Sequence, residues 1–375
     1  MRLHKTAWAE ISTEAVESNL KAIKEQLPTG TRICAMVKGD AYGHGLVKMT
    51  GILLQKGLID IAGVGKVSEL IRLLKGTANE SLEVLLVGAS CAEELEAPLE
   101  DGRIDAGRAV FSIFSMSQFE KLEQIAQHLK RRIKVHIRLD GWDSGMGLGY
   151  RTFLEEQDRL FLSEWCCVTG IYSHLYSSYY EDHAQTAREL EEFDEVIKRL
   201  SPERRARVSV HVMNSALIFG FPQYAYDMVR AGAAMYGLEC GAGGKLKTAM
   251  KICADVFAVH EIDASVPLSY EPVHKTGKRR IARIMLGYCD CPLLLTQYNV
   301  QVRIRGQLYP LADDVCMDNL CVDITGNGDI RVGDQAVLLG EPGVSVDEIM
   351  ERNNMFVVHS DWLGITAERL EKVYV

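Results

Sequence analysis

No run of about 18 consecutive apolar residues, the length a bilayer-spanning helix needs, occurs in this 375-residue chain. Its opening segment, MRLHKTAWAEIS, has no apolar stretch of the kind a secretory leader carries. Ten cysteines are present, among them the neighbours Cys166 and Cys167 and the close pair Cys289 and Cys291, but there is no CxxC and no metal-type spacing. Reduced, mostly buried thiols are therefore expected. Positive charge is also short. The 42 Lys and Arg against 51 Asp and Glu leave a net charge of −9, which argues against a nucleic-acid or anionic-membrane partner while leaving room for a local cationic pocket. Repeats and low-complexity tracts are absent from the sequence. A cytoplasmic protein with no nucleic acid and no membrane in its function is the expectation.

What is present is ordinary globular composition, with 47% hydrophobic and 25% charged residues, and a length that predicts two domains. Eight β-rich apolar runs fall at 32–38, 61–65, 82–88, 107–113, 133–139, 168–174, 207–214 and 227–237. Segments with helical apolar spacing lie between them, for example 13–27, 117–131 and 184–200, the first opened by Ser12 and Thr13 with an early Glu14 as a cap. Continuous apolar strands alternating with helices predict a parallel sheet covered on both faces, and eight such units predict an α/β fold of the (β/α)8 TIM barrel type over residues 1–240. Beyond a Gly-rich stretch at 237–245, the alternating runs 250–262, 279–286, 300–311, 320–324 and 335–340 and the Gly326-Asn327-Gly328 turn predict a smaller, mainly antiparallel β domain over 241–375. Residues up to about 10 are expected to pack with that second domain.

Reactive groups of such a barrel gather at the C-terminal ends of its strands. Lys38 closes the first run and leads into a Gly-rich loop carrying Tyr42 and His44. A strand-end lysine is either solvated and inert or, if desolvated, a candidate for Schiff-base chemistry. Asn214 and Ser215 end the seventh run, and Arg230, Ala231, Gly232 and Ala233 end the eighth. Loops seven and eight are where barrels commonly hold phosphate, and Ser215, Gly232 and Ala233 suit that task because small residues let backbone N–H groups approach. His174 after the sixth run and His211 in the seventh suggest a polar chain toward the pocket, although each could equally be structural. Together with Lys38 these residues read as a site for an aldehyde-bearing phosphate cofactor.

The segment 35–45, AMVKGDAYGHG, resembles the cofactor-lysine motif of the alanine racemase family. The pieces GIYSHL (170–175), HVMNSA (211–216), VRAGAAMYGL (229–238), LSYE (268–271), LGYCD (286–290) and VCMDN (315–319) follow in the family's order. The resemblance runs from about Trp8 to the last residues. It implies a barrel with a C-terminal β domain, a pyridoxal 5'-phosphate cofactor and a head-to-tail homodimer with shared active sites. On that reading Lys38 and Tyr270, the latter from the partner subunit, act as the two acid/base groups on opposite faces of a small amino-acid substrate. The resemblance further implies that Tyr42, Ser215, Gly232 and Ala233 hold the phosphate and that Arg230, backed by His211, faces the pyridine nitrogen. It pairs His174 with the catalytic tyrosine and brings Tyr288, Met317 and Asp318 to the partner's substrate pocket.

Several positions depart from the family pattern. Arg138 stands where the family usually has a lysine, often carbamylated, and Leu148 follows Gly147 where an arginine for the substrate carboxylate is usual. Two extra residues also enter the loop between them. Arg138 then either supplies the guanidinium itself or serves a structural ion pair. Glu271 follows the tyrosine in place of glycine, the usual GYxDGxPR reads GYCDCPLLL at 287–295, and the usual VGRVCMD reads ADDVCMD at 312–318. A tyrosine that narrows the family's substrate entrance is replaced by Ala367 or Glu368. Alanine is the first expected substrate and serine the next; SHL at 173–175 resembles serine/alanine racemases. A non-catalytic homologue that only binds the cofactor is the alternative in a different class. A metal-assisted lyase on a similar barrel is disfavoured by the lack of a ligand cluster.

Overall fold

The computed structural model describes residues 6–375 except 142–143, 180–181, 239, 269–275, 298, 355–365 and 368. Among them, the first strand, β1 (Ala7–Ile11), stands apart from the barrel strands that follow. These are β2 (Arg32–Met36), β3 (Ile61–Val64), β4 (Glu83–Leu86), β5 (Ala109–Ile113), β6 (Ile133–Asp140), the two-residue β7 (Leu148–Gly149), β8 (Cys166–Tyr172), β9 (Ser209–His211) and β10 (Met228–Ala231). Eight of them form one parallel sheet in the order β10-β2-β3-β4-β5-β6-β8-β9, with β7 beside β6. The ring is drawn together between its end strands by backbone bonds from Arg230 N to Met213 O (2.9 Å) and from Asp227 N to Val210 O (3.2 Å). Each predicted run overlaps one of these strands, because a strand buried on both faces must be apolar throughout; β6 runs one residue past its run, and β8 starts two residues before its own.

The helices pack outside the barrel as their spacing predicts. Thr13–Glu25 buries Ala15, Val16, Asn19, Leu20 and Ile23 along one face and is capped by Ser12, whose side chain accepts from Ala15 N at 3.2 Å. Met116–His128 and His183–Lys198 are capped likewise by Ser115 and Asp182.

The second sheet contains β11 (Met250–Asp263), β12 (Lys278–Ile284), β13 (Gln301–Ile304), β14 (Gln307–Pro310), β15 (Leu320–Asp323), β16 (Gln335–Leu339) and β17 (Glu371–Tyr374), and it is mainly antiparallel. The single run read at 300–311 is a hairpin. Arg305 (φ 50°) and Gly306 (φ 83°) make its two-residue turn, and an arginine in the first left-handed position hides it from a search for Asn-Gly. Strand β1 also joins this sheet, antiparallel to β11 and parallel to β17. No helix among the described residues is long and apolar enough to cross a membrane.

Strand ends differ from the sequence reading where the site begins. The first barrel strand stops at Met36, and Lys38 opens a short turn rather than closing the strand. Similarly, β8 stops two residues before His174 and β9 three before Asn214. Chain that leaves the ladder at these points is free to aim side chains into the barrel mouth.

Candidate active site

A cavity of about 580 Å³ opens at the C-terminal ends of the barrel strands. Lys38 and Tyr42 from the loop after β2, Arg138 from β6 and His174 from the loop after β8 line it. Ser215, Arg230, Gly232 and Ala233 complete the group from the last two units. His211 lies beneath, fully buried. Three cationic residues line this cavity, and no Asp or Glu does so among the described residues. In a chain of net charge −9 that local reversal marks a site for an anionic ligand. A more open groove between helices 150–161 and 183–198 is lined by three arginines and four glutamates, so it has no excess of positive charge, and it presents no comparable reactive cluster among the described residues.

The Lys38 loop is held in unusual backbone. Gly39 (φ 63°), Asp40 (φ 53°), Ala41 (φ 58°) and Tyr42 (φ 52°) make a left-handed turn. Such backbone costs an L-residue roughly 1–2 kcal/mol, so surrounding contacts must hold it. Glu69 accepts from Gly39 N (2.6 Å) and Asp40 N (3.3 Å), and the Asp40 carboxylate accepts from Leu46 N (3.0 Å). His44 stacks on Tyr236 with centroids 4.3 Å apart. Burial lowers its pKa to about 4.

Arg230 anchors a buried polar chain. Its Nη1 donates to His211 Nδ1 (2.8 Å) and His211 O (3.0 Å), while Nη2 donates to Ser173 O (2.7 Å). A guanidinium only donates, so His211 Nδ1 must accept and its Nε2 carries the proton. That proton is donated to His136 Nδ1 at 3.0 Å. Burial, then the Arg230 charge, drives His211 well below the ordinary histidine range. Burial, then Arg32 and Arg230, brings His136 to about 3. Tyr172 stacks on His211 at 4.8 Å and lies 5.2 Å under the guanidinium. Burial lowers Arg230 only to about 10, which leaves it charged at neutral pH. His174 is brought to about 3 by burial and then by Arg230, Arg138 and Lys38, and is therefore a neutral hydrogen-bonding group.

Ser215 Oγ accepts from Gly232 N and Ala234 N, both at 3.1 Å, so its own proton is left to donate. A Cβ on Gly232 would stand 2.8 Å from Tyr42 Oη, which makes this a cradle that a larger residue would fill. Arg138 is buried, lies 5.3 Å over the Phe114 ring and keeps Nε without a hydrogen-bond partner among the described residues. Leu148, by contrast, is packed into the core.

These features fit pyridoxal phosphate. The cavity offers an amine at Lys38, hydroxyls and a close backbone for a phosphate, a cation for the ring nitrogen and a spare buried donor at Arg138.

Other sequence-predicted residues are not brought to this cavity. Tyr288, Met317 and Asp318 belong to the β domain; Met317 is 48% exposed, and Asp318 pairs with Arg369 (2.7 Å). The backbone N–H of Ala367 donates to Asp290 O at 2.8 Å. Tyr270, Glu271 and Glu368 lie outside the described residues. Sequence reasoning missed His136, Tyr172 and Glu69. The alternation of a strand carried a signal for the first, since His136 and Arg138 two residues apart must share a face of β6.

The family models described as alanine racemase N-terminal domain and alanine racemase C-terminal domain match residues 11–240 and 249–374. An alanine racemase of Desulfovibrio desulfuricans is 29% identical over 98% of both chains, and one of Clostridium novyi is 28% identical over 98% of this chain and 95% of its own. The structure of alanine racemase from Clostridium difficile superposes with a TM-score of 0.87 at 26% identity, covering 100% of this chain and 97% of that one. Alanine racemase from Bartonella henselae with covalently bound pyridoxal phosphate gives 0.83 at 25%, covering 99% and 100%. With its barrel, its β domain and matches to both family models, the chain belongs to the alanine racemase family.

Proposed function

We propose that this protein is a pyridoxal-phosphate-dependent racemase that interconverts the L- and D-forms of a small amino acid, alanine first and serine next. The observation that carries the reading is the barrel-mouth cavity, in which Lys38, Arg138 and Arg230 face one space with no opposing carboxylate among the described residues. Both the cofactor phosphate and the substrate carboxylate are anions, and such a space suits both.

When bound, the cofactor supplies an electron sink that acidifies the substrate Cα–H. Racemisation then needs one group to remove that proton and another to return it on the opposite face. Lys38 serves one face. Tyr270 of a second copy serves the other in a homodimer with shared active sites, assisted by the neutral His174. Arg230, held by His211, places a permanent cation at the ring nitrogen and keeps it unprotonated. Tyr42, Ser215, Gly232 and Ala233 hold the phosphate, and Arg138 takes the substrate carboxylate through its unpartnered donor. Tyr288, Met317 and Asp318 reach the partner's pocket, Met317 through its backbone N–H. On this reading the reaction takes place in the cytoplasm.

The test is a panel of L-amino acids incubated with the protein in D2O and analysed for mass and chirality. Exchange at Cα with inversion is expected for alanine or serine. A second reading, a cofactor-binding homologue without catalysis, is favoured by the hydrocarbon of Leu148 where the family has an arginine; it requires no exchange with any substrate. Exchange without inversion would point to a failed second base.

A further inference from the structure

We propose that Glu69, with Lys372 and Tyr374 of the β domain, positions the Lys38 amine by holding the left-handed turn that follows it. This inference rests on the reading of Lys38 as the cofactor-bearing residue.

Glu69 sits in the first turn of the helix Val67–Gly76, and its carboxylate gathers four backbone N–H groups from two loops. Oε1 accepts from Gly39 and Asp40 (2.6 and 3.3 Å). Oε2 accepts from Gly65 and Lys66 (2.9 and 3.2 Å). The stem of Lys38 lies directly over Gly65, where an added Cβ would be 3.4 Å from Lys38 Cβ and 3.5 Å from Glu69 Oε2. One carboxylate thus ties the backbone just past Lys38 to the backbone beneath it. A carboxylate suits this position because all its partners are donors and it has lone pairs for each.

The opposite side of the turn is held by the β domain. Lys372 Nζ lies 3.2 Å from Asp40 Oδ2, opposite Arg72 at 3.1 Å from Oδ1. Tyr374 Oη donates to His44 O at 2.7 Å and occupies the space a Cβ on Gly45 would need, 2.2 Å away. Glu69, Lys372 and Tyr374 do not line the cavity, so their influence on the site passes through the loop. They are positioning residues, and strand β17 makes the β domain part of the Lys38 support within a single chain.

The experiment reads Lys38 against other lysines in the same molecule. Full-length protein freed of cofactor is mixed with pyridoxal phosphate and cyanoborohydride, and the attachment rate is followed by peptide mapping at Lys38 and at the exposed Lys75 and Lys130. In Glu69→Gln, whose amide cannot accept through its nitrogen, the Lys38 rate should fall roughly five- to tenfold, the range for one or two lost hydrogen bonds. In Tyr374→Phe, which removes one hydroxyl and carries the test should Glu69→Gln not fold, a fall of about threefold is expected. Lys75 and Lys130 should keep their rates. An unchanged Lys38 rate in the folded variants, or an equal change at all three lysines, overturns the proposal. A wild-type Lys38 no faster than Lys75 would instead sink the reading of Lys38 itself, and the inference with it.

Discussion

Arg230 Nη1 donates to His211 Nδ1 across 2.8 Å, and because the donor cannot exchange roles with the acceptor, one arginine dictates the tautomer of His211 and, through it, of His136. Substitution of Arg230 by Gln removes the cation and lets the chain reverse. We expect kcat to fall about 10- to 100-fold, equivalent to the roughly 1.5–3 kcal/mol of a charged hydrogen bond. Abortive transamination per racemisation event should rise as the ring nitrogen gains access to a proton. Keto-acid release measured alongside inversion checks both; a variant with an unchanged partition ratio contradicts the role given to Arg230.

Arg138 should act on binding more than on chemistry. Arg138→Met is expected to raise KM about tenfold or more, the scale of one lost charge-assisted pair, with a smaller effect on kcat. Steady-state kinetics would exclude it as the carboxylate anchor if KM stayed at the wild-type value.

The cradle at Gly232 predicts a paired result. Gly232→Ala pushes a methyl to within 2.8 Å of Tyr42 Oη, and cofactor affinity should weaken about tenfold, the scale of roughly 1.4 kcal/mol of strain. Tyr42→Phe removes the oxygen that clashes, so the double variant should bind better than the sum of the two losses allows. Simple additivity, read by absorbance titration, would show that the two groups do not share the crowding.

The proposed sharing of active sites between two copies makes a counting prediction. Mixing and reassociating Lys38→Ala with Tyr270→Phe places two lesions in one site of each heterodimer and none in the other. Random pairing should therefore restore about a quarter of wild-type activity. Two inactive proteins that stay inactive after verified exchange would mean that both bases come from one chain.

Acid should weaken the fold before the carboxylates titrate. His136 and His174 are held near 3 and His44 near 4 by burial, against an ordinary value near 6.5. Below that value the unfolded chain binds protons that the folded chain refuses, so the stability present above pH 6.5 is lost as pH falls toward 4. Each such histidine contributes a slope approaching 1.4 kcal/mol per pH unit. Urea midpoints taken between pH 6.5 and 5 should drop steadily, and a flat profile would show that these rings are protonated in the native state.

Much of this was legible in the sequence because burial leaves a simple imprint. Strands covered on both faces must be apolar throughout, so all eight barrel runs stood out, and Lys38, Ser215 and Arg230 could be placed at the barrel mouth from the strand ends alone. Glu69 was not legible. Its importance comes from four N–H groups in two loops, and no local pattern marks a carboxylate as serving loops rather than solvent. The left-handed turn was hidden for the same reason, since Ala41 and Tyr42 disfavour that backbone and adopt it only under outside contacts. Arg138 was noticed as an oddity, but its unpartnered Nε is a property of packing.

Strand β1 is sewn between β11 and β17, with Trp8 opposite Cys253 on one side and Glu371 on the other. During synthesis, β1 leaves the ribosome ahead of the barrel and waits for all of it before either neighbour exists. Pairings this remote in sequence are slow to form, and an unsatisfied strand edge invites association with other chains. The barrel therefore has to fold as an insert inside an unfinished sheet, and β17, made after it, completes the sheet and the support of Lys38 in the same event.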